Sequence, residues 1–400
     1  MHRRRFIFDS TVVLASTLLP TSRVLAAAGD DLPAGTVASS SMHVLAGKRP
    51  LIKRTFRPPN YETPVELFRQ DYTPNDAFYV RWHTAVPDIE RSDWRLRVTA
   101  SPSGSPREYT HAELLQKFRL HEVAAVNQCS GNRRGLFRPH VPGVQWGYGA
   151  MGNALWRGVR LKDVLEDAGL DRNALEIAAN GADAPMLSGP DFIKSLPVGK
   201  ALDADTLIAF EMNGEPLSNW HGFPARLVVP GWTATYWVKA LMELNVLSRP
   251  FDGFWMKTGY RVPRDLFGPS GFESQDTDQS SAITAIRVNS LIVGPAPGAT
   301  VPVGARTELL GIAWDGGSGI QRVEVSLDKG ASWREAALER DRGRYAWRHW
   351  RFAVEPAQRG AFTLMARARA RDGSTQPETL IANPAGYHHN VVQKVEYLAA

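Results

Sequence analysis

Residues 127–137 read NQCSGNRRGLF, and the single cysteine of the 400-residue chain, Cys129, stands third in that stretch. Just upstream, Val123 to Val126 form a short apolar run, the pattern of a buried strand. Cys129 is therefore expected on the loop leaving a strand, where reactive groups are commonly presented. Downstream, Ser130 and Gly131 are small enough for close backbone approach. Arg133 and Arg134 follow, and nearby cations favour thiolate over thiol. One cysteine rules out a disulfide within the chain. It also excludes Cys-rich zinc and iron–sulfur sites, which need several thiolates. Either Cys129 is a small packed hydrophobe, or it is a reactive or metal-bound thiolate.

Its neighbours in the sequence decide between these. FYVRWHT (78–84) places Arg81 and His83 two apart, on one face of a strand. EMNGEPLSNWHGFPARLVVPG (211–231) sets His221 and Arg226 around a turn, and Lys239 follows after a further strand. KTGYRVP (257–263) adds Tyr260 and Arg261. Arginine forks suit phosphate and other oxyanions. The set offers one thiolate, several oxyanion-binding cations and one phenol. His388 and His389 look like a metal pair, but adjacent histidines rarely point at one ion, and they read as C-terminal structure.

Outward from these segments the chain divides. Three arginines (Arg3, Arg4, Arg5), an apolar stretch from Thr11 to Leu19 and small residues at Ala26, Ala27 and Ala28 form a signal layout with a twin-arginine flavour. A Sec signal or a lipid anchor are the other readings; no cysteine lies near the cleavage site to carry an anchor. The apolar stretch is too short to span a membrane, and no later segment is long and apolar enough. Residues 1–28 are read as the signal peptide and 29–60 as a Pro- and Ser-rich arm. A mixed region, 61–280, follows. Within it Thr110 and Glu113 make a capping box opening a helix through Phe118, and LKDVLEDA from Leu161 is a helix stopped by Gly169. Gly268 to Ser281 is polar and Gly/Ser-rich, a linker. Beyond it the period becomes two: Val323, Val325 and Leu327 alternate with polar residues, as do Phe362, Leu364, Ala366 and Ala368. Residues 281–400 thus read as an immunoglobulin-like β-sandwich without a disulfide. The fold class expected is α+β. The net charge is +6, but the basic residues are scattered and no nucleic-acid motif occurs, so an anionic small substrate is the better reading.

FYVRWH, NQCSGNRRGLF, EMNGEPL, HGFPARLVVPG and the spacing on to Lys239 and Tyr260 resemble, in that order, the molybdopterin domain of the sulfite oxidase family. The C-terminal region resembles that family's immunoglobulin-like dimerisation domain. The likeness runs from about residue 60 to the end. It implies a molybdenum atom bound by one molybdopterin dithiolene, by terminal oxygens and by Cys129. By motif match, His83, Asp183 (in NGADAP), His221, Arg226 and Lys239 hold the pterin and its phosphate. Arg81, Arg134 and Tyr260 make the substrate pocket, with Trp146 (VQWGYG) a further wall. The loop before Asp183 is shifted by one relative to the family, and the stretch from Cys129 to Trp146 is slightly shorter than in animal members.

The activity so implied is oxidation of sulfite to sulfate in the periplasm, after twin-arginine export. No haem-attachment motif is present, and little chain lies between the signal and the first motif. Electrons are therefore expected to leave to an external c-type cytochrome, as in the bacterial sulfite dehydrogenase branch. The C-terminal resemblance implies a homodimer; a heterodimer with a cytochrome subunit is the other arrangement. The alternative closest in chemistry is the sulfane dehydrogenase subunit of a sulfur-oxidising complex, which takes a carrier-bound substrate. Methionine sulfoxide reductases of the superfamily lack the sandwich, and plant nitrate reductases carry haem and flavin domains besides. A non-catalytic exported binding module is the reading from a different class, and it should contain no molybdenum.

Overall fold

The computed structural model describes residues 42–400 apart from 103, 186–187, 265 and 267–278. The signal peptide, the start of the arm and most of the linker lie outside the described residues.

Strand dominates both units, and helix is confined to short pieces. In the first unit, Leu120–Gln128 pairs antiparallel with Met151–Arg160 over its whole length, and Met151–Arg160 pairs in turn with Leu207–Met212. The short strand Arg226–Val228 joins the other side of Leu207–Met212. A second sheet runs Lys194–Pro197, Glu176–Gly181, Leu241–Leu247, Arg95–Thr99, Arg107–Thr110. Apolar side chains of the two sheets, among them Trp94, Trp156 and Trp237, close on one core. Helix α1 (His111–Lys117) opens with the expected capping box: the Glu113 N–H donates to the Thr110 hydroxyl, and Glu113 accepts from the Thr110 N–H. Helix α2 (Leu161–Asp167) buries Leu161, Val164 and Leu165.

The described part of the arm is itself sheet. Met42–His43, Leu51–Thr55 and Asn60–Glu62 pair in series with Val80–Arg81, the strand that presents the first motif. This part of the arm, read from sequence only as Pro- and Ser-rich, therefore frames the site. At the far end of the linker, Ser280–Ala282 is a strand paired with Arg261–Pro263.

The second unit is a sandwich. One sheet runs Asn289–Gly294, Thr307–Trp314, Arg348–Val354, Ala337–Leu338; the other contains Gln393–Ala399, Gly360–Ala370 and Ile320–Ser326. The period-2 residues do what their alternation implies. Val323 sits opposite Ala368, and Val323, Val325, Leu364, Ala366 and Ala368 fill the space between the sheets.

The units are joined through apolar surface and hydrogen bonds. Phe68, Val126 and Met151 of the first pack with Leu291, Ile312, Trp314 and Trp347 of the second. The Trp314 indole donates to Gln128 Oε1 at 2.6 Å, and the Val126 N–H donates to Tyr345 O at 2.9 Å. The strand that ends at Cys129 is thus held from both units.

Candidate functional site

Cys129 follows directly on the strand Leu120–Gln128, and its N–H still donates to Ala150 O. The chain then tightens. Asn132 N–H donates to Cys129 O, Arg134 N–H to Gly131 O, and Arg133 adopts φ 67. A side chain at Gly131 would overlap the Arg134 guanidinium, so the small residue is what lets Arg134 fold back over the loop.

Two chambers meet at the Cys129 thiol. The inner one is lined by Tyr79, Asn127, Ser130, Asp183, His221, Arg226, Trp237 and Lys239, with an empty volume of about 650 Å³ including its mouth. The outer one is lined by Arg134, Trp255 and, from the second unit, Pro384, Ala385 and Tyr387. Arg81, His83, Cys129 and Tyr260 border both. Eight of the ten residues singled out from sequence thus line the inner chamber or its throat, and Arg134 lines the outer.

Trp146, expected as a wall of the pocket, is a correction. Its ring is fully buried in the core, edge-on to Tyr79 at 6.5 Å, and it borders neither chamber. The reason is local. Gly135 N–H donates to Trp146 O and Arg133 N–H to Gly147 O, so this segment is strapped to the Cys129 turn with its indole directed into the core. Trp255 and Tyr387 join Tyr260 as aromatic walls of the outer chamber instead.

Positive charge is concentrated here against little compensation. Burial, reinforced by Arg226, pushes Lys239 down to about 7. Burial pushes Arg226 down to about 10. His221 and His83 are held well below the usual histidine range, first by burial and then by the surrounding cations. Asp183 accepts from the Thr84 hydroxyl at 3.3 Å; burial raises its pKa against the pull of Lys239. His83 Nε2 lies 2.6 Å from the Tyr260 hydroxyl, and burial holds Tyr260 above the usual phenol range.

Two buried lysines escape a sequence reading. Lys48, from the arm, donates to Phe78 O at 3.0 Å and touches His221 Nε2. Lys194 donates to Trp255 O at 2.6 Å and lies against the Tyr260 ring. Neither stands in a motif; only the tertiary fold buries them. Asn127 and Ser130, in contrast, flank Cys129 within two residues and were findable from their position.

Among the buried groups of the inner chamber, Asn127 Nδ2, Ser130 Oγ and Arg226 Nε have no hydrogen-bond partner among the described residues. Buried polar atoms are nearly always paired, so these await a polar ligand. Together with the cations they suit a phosphorylated anionic group. Among the described residues no cluster of three His, Cys, Asp or Glu side chains could hold a metal alone. A metal here would take Cys129 as its protein ligand and the rest of its coordination from a cofactor. The residues fit a molybdenum–molybdopterin group, which His83, Asp183, His221, Arg226 and Lys239 would surround at the pterin and its phosphate and Cys129 would meet at the metal.

Comparison with known proteins supports a molybdenum–molybdopterin cofactor. Residues 83–255 match the family model described as the oxidoreductase molybdopterin binding domain, and residues 280–398 the Mo-co oxidoreductase dimerisation domain. Mitochondrial sulfite oxidase of Rattus norvegicus is 36% identical over 338 residues, covering 81% of this chain and 61% of the relative. Sulfite oxidase of Gallus gallus is 37% identical, covering 81% and 72%. Nitrate reductase [NADH] 1 of Phaseolus vulgaris is 31% identical, covering 88% and 42%. The chain spans about three fifths of the length of the mitochondrial sulfite oxidases of rat and Drosophila melanogaster that it matches. Among solved structures, the sulfane dehydrogenase SoxCD from Paracoccus pantotrophus superposes with a TM-score of 0.73 at 25% identity, covering 91% of this chain and 89% of that one.

Proposed function

Since the chain belongs to the sulfite oxidase family of molybdenum oxidoreductases, we propose that it oxidises sulfite to sulfate and passes the electrons to an external c-type cytochrome. One observation carries this reading. The Cys129 thiol stands at the junction between a cationic inner chamber and an outer chamber reached by Arg81, Arg134 and Tyr260.

When bound, the molybdenum–molybdopterin group supplies the oxygen-atom transfer and two-electron chemistry. The protein's own residues do the rest. Arg81 and Arg134 draw a small dianion into the outer chamber and offset its charge. Tyr260, kept protonated by burial, donates a hydrogen bond toward the reacting oxygen, and His83 fixes the direction of its hydroxyl. Trp255 and Tyr387 narrow the chamber and limit water. The balance is sulfite plus water to sulfate, two protons and two electrons.

The residues before Gly29 support periplasmic placement by twin-arginine export. The dimerisation domain supports a homodimer, and the SoxCD likeness supports a partner subunit. No helix among the described residues is long and apolar enough to cross a membrane. A second reading, the sulfane dehydrogenase subunit of a sulfur-oxidising complex, is favoured by the SoxCD superposition. Purified metal-loaded protein offered free sulfite with cytochrome c, ferricyanide or oxygen separates them. The proposal expects cytochrome c reduction dependent on free sulfite; absence of sulfite turnover with every acceptor would overturn it.

A further inference from the structure

The outer chamber is completed by a segment of the second unit that no sequence motif marks. Between the strands Gly360–Ala370 and Gln393–Ala399 the chain dips toward Cys129 and presents Tyr387. The Tyr387 ring stacks on the Tyr260 ring, 5.5 Å between centroids with planes 17° apart. The Arg134 guanidinium lies 5.2 Å from the centroid of the same Tyr387 ring, within cation–π range. One side chain thus touches both the phenol and the arginine assigned to the substrate.

The segment is built to hold that position. Asn383 clamps Tyr387 through both backbone groups: its Oδ1 accepts from the Tyr387 N–H at 3.0 Å, and its Nδ2 donates to Tyr387 O at 2.9 Å. His388 N–H donates to the carbonyl of Ser130, the residue after Cys129. Arg134 Nε donates to Ala385 O at 2.9 Å, which fixes the plane of the guanidinium. Gly386, at φ +62, passes so close to Arg134 and Val141 that a side chain there would collide. Tyr260 itself sits at φ 60, a left-handed backbone uncommon for a tyrosine. Such a residue needs outside support to keep one orientation.

We propose that Tyr387 is a positioning residue of the substrate chamber, a lever by which the second unit fixes Tyr260 and Arg134 around a small oxyanion. The stack keeps the Tyr260 hydroxyl turned to His83, and the ring face keeps the Arg134 charge over the chamber. The inference rests on the chamber being the oxyanion site proposed above.

The test uses metal-loaded full-length protein with Tyr387→Ala and Tyr387→Phe. Sulfite steady-state kinetics are read beside molybdenum content and sulfate binding followed by tryptophan fluorescence. Tyr387→Ala should raise the sulfite KM about tenfold and weaken sulfate by a similar factor through Arg134, and lower kcat severalfold through Tyr260, with molybdenum content unchanged. Tyr387→Phe, which keeps the ring stack and loses only the hydroxyl, should return KM to within about threefold of the parent. Parent-like KM and sulfate affinity in the alanine variant would overturn the inference, as would a rise in KM that merely follows lost molybdenum. If the parent ignores sulfite but binds sulfate, and Tyr387→Ala weakens that binding, the functional reading falls and this one stands. If the parent binds neither, both fall.

Discussion

His83 and Tyr260 meet across 177 residues of chain, imidazole Nε2 to phenol oxygen at 2.6 Å, at the boundary of the two chambers. Burial first, then Arg81, keeps the imidazole neutral, while burial keeps the phenol protonated. The pair is therefore a neutral hydrogen bond that directs the hydroxyl rather than a proton relay.

Tyr260→Phe should consequently slow turnover without emptying the site. Loss of one preorganised donor costs on the order of 10² in kcat. Molybdenum content and sulfate affinity should match the parent. Metal analysis and steady-state sulfite kinetics on the same preparation check this, and a phenylalanine variant with parental kcat would remove Tyr260 from the chemistry.

Cys129→Ser should behave in the opposite way. The thiol is the site's one soft donor, and the side chain is small, so serine fits the same space. Expected are a folded protein with parental circular dichroism, markedly less retained molybdenum and no sulfite turnover above background. Retention of full metal by the serine variant would contradict ligation by Cys129.

The cluster of buried cations makes a statement about the cofactor-free protein. Burial lowers both Lys48 and Lys239 from 10.5 to about 7. Between about pH 7 and pH 10.5 the unfolded chain therefore binds more protons at these lysines than the folded one. Stability rises with pH wherever that holds. Cofactor-free protein should accordingly become more stable as pH climbs through this window and lose that gain as pH falls toward 7. An anion in the inner chamber reverses the penalty, so inorganic phosphate should raise Tm more at pH 7 than at pH 10. Lys239→Met should stabilise the cofactor-free form at pH 7 by about 1–4 kcal/mol while impairing pterin retention. Flat or falling stability from pH 7 to pH 10 would sink the argument.

How far the sequence discloses all this depends on whether the information is local. Period-2 alternation in Ile320–Ser326 and Gly360–Ala370 is set by neighbours on one strand, and it is readable. The capping box of α1 is local too. Arg81, His83, Cys129, His221, Arg226 and Tyr260 stand in ordered motifs. Lys48, Lys194 and Tyr387 do not, because their places are made by segments far apart in the chain: Lys48 meets His221 across 173 residues. Trp146 shows the converse hazard. Its motif position suggests a wall, but direction is set by hydrogen bonds to the Cys129 turn, which no pattern of residue types reveals.

Adjacent arginines give the sharpest contrast between support and function. By residue type alone Arg133 and Arg134 are equivalent neighbours on one loop, and only motif position selects Arg134. In the fold the left-handed backbone at Arg133 turns them apart. Arg133 is 1% exposed, donates to Ser290 O at 2.9 Å in the second unit, and lies against the rings of Tyr148 and Trp314. Arg134 lines the outer chamber. Arg133→Ala removes a buried charged hydrogen bond and the packing of its stem between the units, a loss of about 2–4 kcal/mol. Its Tm should fall, while kcat/KM per molybdenum stays close to the parent. Arg134→Ala should raise the sulfite KM about tenfold or more, since the dianion loses a charged partner. Its Tm should fall by less than that of Arg133→Ala. Thermal melts and kinetics normalised to molybdenum, measured on both variants, decide the matter. A selective KM effect at Arg133 with none at Arg134 would reverse the assignment, because one guanidinium is buried against Ser290 and the other lines the outer chamber, and they cannot exchange roles without refolding the turn.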